Sequence, residues 1–160
     1  MSIDREKLFT AILHAIDRGF VIDRETMNVE RGCCCPLAAL AMLNGESPRA
    51  IETADASLDT MDLLAATTHH SVGEVERFVT AFDCGKPWRT DVHSETAQLA
   101  AAWWWLLKAV QNLTALFTSV VEGNATEAQW CMHKLEGNVD TCLGFLGMDP
   151  KEIEACAPDS

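Results

Sequence analysis

Apolar residues between Ser94 and Glu122 recur at alternating intervals of four and three: Leu99, Trp103, Leu106, Val110, Leu113, Phe117 and Val120. This spacing predicts one long helix with a heptad seam. Trp103, Trp104 and Trp105 follow one another, so they point in three directions around that helix, and apolar surface extends beyond the seam. The turn Glu122-Gly-Asn124 ends it. Asn124 with Glu127 then caps a returning helix, in which Ala128, Met132, Leu135, Val139, Cys142 and Leu146 repeat the same alternation.

Two helices with matching seams and a short turn form an antiparallel hairpin. With the turn at residues 123 and 124, the numbers of facing residues add to about 247 at equal rise per residue. That register sets Gly144 against Trp103 and Gly137 against Val110. An interior glycine costs about 1 kcal/mol relative to alanine, and room for an indole is a reason for Gly144. The apolar residues left over, Trp104, Trp105, Leu107 and Leu116 beside Trp103, form the expected interface. They pack on the N-terminal helices or on a second copy of the chain, the second solution giving a four-helix homodimer.

Shorter helices precede the hairpin. Ser2 is the expected N-cap of a first helix with Leu8, Phe9, Ile12, Leu13 and Ile16 on one face, ending at Gly19. Phe20–Ile22 and Met27–Val29 are short extended segments around a charged turn, suited to a small β-hairpin or an ordered loop. Cys35 caps a helix beginning at Pro36 and ending at Asn44-Gly45, and Ser47-Pro48 starts another that runs to about Ala54. Leu58 to Ala66 reads as a further helix with Leu58, Met61, Leu64 and Ala65 inward. Ser71-Val-Gly-Glu74 is a capping box for Val72 to Phe82. Asp83 to His93 is a linker, and Asp149-Pro150 opens a last short helix ending near Cys156.

The fold class expected is therefore all-α: a cluster of short helices over residues 1–90 packed on a C-terminal hairpin over residues 91–160, together one compact unit.

Charge narrows the partners. Twenty-four acidic against twelve basic residues give −12, which opposes binding to nucleic acid or to an anionic membrane face and favours a protein with a basic surface. The two helices joined at Thr68 to Ser71 have helix-turn-helix spacing, yet the second carries Glu74 and Glu76 with only Arg77, too few cations for a DNA reader. Ala97 to Val121 is long enough to span a bilayer, but Gln98, Lys108, Gln111 and Asn112 interrupt it and its tryptophans sit inside the run. An odd cysteine count of seven and a charged N-terminus without an apolar leader place reduced thiols in a cytosol.

Candidate chemistry centres on Cys33-Cys34-Cys35-Pro36. Thiols at a helix N-terminus feel unpaired N–H groups, which favours the thiolate that attacks electrophiles or binds soft metals. A zinc or copper site, or a redox site, would draw on Cys33, Cys34, Cys35, His69, His70 and Cys84. Adjacent cysteines lack the spacing of zinc knuckles, however, and cysteine is also a common small core residue. Cys131 and Cys142 lie three turns apart on one side of the returning helix and read as core, while Gln129, His133, Glu136 and Asp140 read as a solvated stripe. Asp91, His93 and Ser94 have the residue types of a triad without its geometry. No phosphate loop, serine elbow or HExxH is present. The function expected is thus a non-catalytic acidic interaction protein that self-associates through its hairpin, with a thiol or soft-metal protein as the alternative.

Overall fold

Asp4, two residues later than the expected cap, opens the first helix: its carboxylate accepts the Lys7 backbone N–H at 2.8 Å, and α1 runs Arg5–Asp17. Ser2 is used elsewhere, its hydroxyl donating to Glu95 Oε2 at 3.2 Å. The computed structural model describes residues 2–57 and 59–147. Leu58 and the last predicted helix, from Asp149, lie outside them.

Cap chemistry fixes most helix starts. Cys35 is the N-cap of α2 (Pro36–Leu43), with its Sγ accepting the Ala38 N–H, and Ser47 caps α3 (Pro48–Ala56). After α4 (Thr60–Thr68), Ser71 Oγ accepts the Glu74 N–H to open α5 (Val72–Cys84). The capping box is only half formed. Glu74 turns its carboxylate to the Thr96 hydroxyl and to Arg77 instead.

Extended segments depart from the expectation of a simple hairpin. β1 (Val21–Ile22) and β2 (Met27–Asn28) do not pair with each other, because β3 (Cys33–Cys34) lies between them, parallel to β1 and antiparallel to β2. Gly32, at φ +67°, supplies the left-handed turn that brings the two cysteines into this central position. Two-residue strands give almost no periodicity to read in a sequence.

Seven helices among the described residues account for the fold, which is all-α apart from this sheet. The described residues form two compact units, one up to Thr80 with Ser94–Thr96 and the other Ala81–His93 with those from Ala97 onward, so a boundary falls inside α5. In the first unit Leu8, Leu37, Leu40, Ile51, Leu64, Val75 and Phe78 are buried. The apolar face of α1 divides: Leu8 and Ile12 are inside with Ala11 and Ala15, whereas Phe9, Leu13 and Ile16 remain about half exposed. Thr96 Oγ1 accepts the Ile3 N–H at 3.3 Å and donates to Glu74 at 2.5 Å, pinning the residues before α1.

In the second unit, α6 (Glu95–Val121) and α7 (Ala125–Gly147) pack as a hairpin. Gly123 at φ +72° makes the turn, and Asn124 Oδ1 accepts the Glu127 N–H.

Candidate functional site

Burial along α6 follows a seam displaced by one residue from the expected one, whereas on α7 the expected Ala128, Leu135 and Cys142 hold and Cys131, Asn138 and Phe145 replace Met132, Val139 and Leu146. The seam runs through Ala102, Trp105, Ala109, Asn112, Leu116 and Ser119 of α6 and Ala128, Cys131, Leu135, Asn138, Cys142 and Phe145 of α7, all covered or half-covered. In the first half of α6 burial is broader and includes Trp103, Trp104 and Leu107, and on α7 Val139, Thr141 and Gly144 are half-buried beside the seam. Both series alternate by three and four, and Ala101, Ala102, Trp105, Cys142 and Phe145 pack together with Val92. The packed cluster agrees with the expected register, Ala102 with Phe145 and Trp105 with Cys142, while the phase differs along α6 and at alternate positions of α7. Large apolar residues fill four of these twelve positions, Trp105, Leu116, Leu135 and Phe145, and alanine, serine and cysteine fill six; small side chains let two helices approach closely.

The consequence lies on the outside. The stripe expected to face α7 turns outward beyond Trp103: Leu106, Val110, Leu113, Phe117 and Val120 are exposed, Val110 by 52% and Phe117 and Val120 by 63% each. On α7, Met132, Leu143 and Leu146 are exposed likewise. Each stripe sits one residue after its own seam. Because the helices are antiparallel, the same rotation of about 100° from a shared seam carries both to one side of the hairpin. The result is a two-helix apolar face.

That face carries little charge. From Thr96 to Val121 there is no carboxylate, and the only cation, Lys108, lies 4.7 Å above the Trp104 ring. On the α7 stripe Glu136 is the exception. Gln129, His133, Glu136 and Asp140 are all exposed.

Of the residues expected at the interface, most are engaged within the chain. Trp104 is 8% exposed and meets Phe82 edge to face at 5.7 Å between centroids. Trp105 Nε1 donates to the Gly85 carbonyl at 2.8 Å. Trp103, Leu107 and Leu116 are half-buried. The glycine that makes room for indoles is Gly85, at φ +77°, where an added Cβ would lie 2.6 Å from Trp104 Cδ1. A Cβ at Gly137 would meet nothing within 4 Å, so the expected Gly137–Val110 contact is not made; Gly144 is half-buried.

The cysteine cluster is arranged for packing. Cys33 and Cys34 occupy the central strand, ahead of the helix N-terminus and not in it. Burial pushes the Cys34 thiol up to about 12, and burial with the Glu25 carboxylate 3.3 Å from its sulfur raises Cys33. Both shifts run opposite to thiolate activation. Glu25 itself is lowered by hydrogen bonds from the Asn28 side chain and the Cys33 thiol. Cys35 is buried with its sulfur used as a cap.

His69 is the left-handed C-cap of α4, at φ +61°, and Nδ1 of His70 is buried without a hydrogen-bond partner among the described residues. Cys84 belongs to the second unit and the Cys33–Cys35 run to the first. Among the described residues no three His, Cys, Asp or Glu side chains come together in a way that could hold a metal ion. None of the described helices is long and apolar enough to cross a membrane.

No protein family, curated protein or solved structure matches the chain.

Proposed function

We propose that the protein is a non-catalytic acidic interaction protein that associates with a second copy of itself through the outer face of the α6–α7 hairpin. The observation that carries this is the stripe Leu106, Val110, Leu113, Phe117 and Val120, exposed along four turns of α6. Apolar patches of this extent on soluble proteins mark contact sites. A second copy suits the face because a chain of net charge −12 repels itself everywhere except where carboxylates are missing, and Thr96–Val121 is its longest stretch without one. The remaining acidic surface suits another protein that presents lysines and arginines.

Multi-angle light scattering of the full chain beside Phe117→Asp tests the reading. Phe117 is mostly exposed, so the variant keeps its fold by circular dichroism while its mass falls from two chains to one. A monomeric wild type overturns it.

A further inference from the structure

The self-association just proposed leaves open how two copies meet and what governs the contact; Glu136 bears on both. Along α7 the outer stripe runs Met132, Glu136, Val139, Leu143 and Leu146 at intervals of four and three. Glu136 is exposed, stands one turn from Met132 on one side and from Val139 on the other, and is the one ionisable residue on either stripe of the face. By the hairpin register, in which facing numbers add to about 247, it is level with Gln111, between Val110 and Leu113 of the α6 stripe and close to the midpoint of the face.

We infer that a second copy covers this face about a two-fold axis through its centre, and that Glu136 is the carboxylate which each copy buries there. A half-turn about an axis running along the helices between the copies sets α6 of one copy over α7 of the other, so each Glu136 meets the partner's uncharged stretch between Val110 and Leu113. The exposed parts of the eight large apolar residues amount to on the order of 700 Å² per copy, which doubled reaches the usual size of a specific interface. A peptide or a basic protein fits less well, because one acidic group in an apolar face offers little charge to complement.

A carboxylate covered by apolar side chains is favoured in its protonated form. The ionisable groups around Glu136 do not relieve this by opposite charge at neutral pH. On α6 there is none between Lys108 and Glu122, and on α7 its neighbours one turn away are His133 and Asp140. Association therefore takes up protons and strengthens as pH falls. A single polar residue within an apolar seam also fixes register and copy number at a cost in affinity.

The test is sedimentation equilibrium of the full chain from about pH 7.5 to 5.5, beside Glu136→Gln, Asp140→Asn and His133→Ala. Wild-type dimerisation should tighten by about 10-fold or more per pH unit, up to two protons being linked to each dimer. Glu136→Gln should dimerise more tightly at neutral pH and lose most of that dependence. Asp140→Asn removes the same charge nearby and should keep it, as should His133→Ala. Dimers whose affinity ignores pH, or a dependence that survives Glu136→Gln, overturn the role of Glu136 while leaving self-association intact. Absence of any dimer, Glu136→Gln included, removes the self-association itself.

Discussion

Trp105 Nε1 donates to the carbonyl oxygen of Gly85 at 2.8 Å, joining the tryptophan run of α6 to the residue that follows α5. The same glycine has φ +77°, and the edge of Trp104 fills the space a side chain would need. Gly85→Ala therefore combines a left-handed alanine with a direct clash. It should destabilise the protein by roughly 2–4 kcal/mol and shift tryptophan emission. Urea unfolding followed by fluorescence checks both, and an unchanged midpoint would refute the packing described at Trp104.

Gly137 behaves oppositely. It lies inside α7, exposed, with nothing within 4 Å of an added Cβ. Gly137→Ala should stabilise the chain by up to about 1 kcal/mol through helix propensity alone. A loss of stability in thermal denaturation would mean that the glycine serves a contact.

Thr96 is 1% exposed and joins two groups: it takes the Ile3 N–H and gives its proton to Glu74. Thr96→Val keeps the shape and leaves both partners unsatisfied, at a cost of about 1–3 kcal/mol. Hydrogen exchange at the Ile3 amide should accelerate in the variant. Unaltered protection there would show that this amide does not depend on Thr96.

The buried thiol of Cys34 makes the first unit sensitive to alkali. Its folded value, about 12, stands above the ordinary 9.0. The folded state thus holds the proton more tightly than the unfolded state. The stabilisation is complete below pH 9 and is lost as pH rises from there toward 12, with a slope approaching 1.4 kcal/mol per pH unit for one proton. Cys34→Ala should flatten that slope in denaturant titrations, and an equal slope in both proteins would contradict the burial effect.

Local chemistry was the legible part of this sequence. Cys35, Ser47 and Asn124 cap helices as their residue types require, and Gly45 and Gly123 end them in left-handed turns. The existence of the hairpin and its register were legible too, because both depend on spacing and turn position. Its phase was not. Periodicity marks the stripe of largest apolar residues, and inwardness was assumed for it; α6 instead buries Ala102, Ala109 and Ser119 and turns Val110, Phe117 and Val120 outward. A pattern rule cannot distinguish a face buried within one chain from a face offered to another, since both are apolar. The same division appears on α1, where Ala11 and Ala15 are inside and Phe9 and Leu13 are not. The cysteines misled differently: residue type suggested thiolate chemistry, whereas burial in a central strand holds Cys33 and Cys34 protonated.

Sedimentation velocity of the unmodified chain at concentrations up to roughly 100 μM tests the central claim most directly. A covered hairpin face predicts a concentration-dependent species of twice the chain mass, lost in Val110→Asp with the helical content retained. A single species of one chain mass across the whole range, in wild type and variant alike, would contradict it.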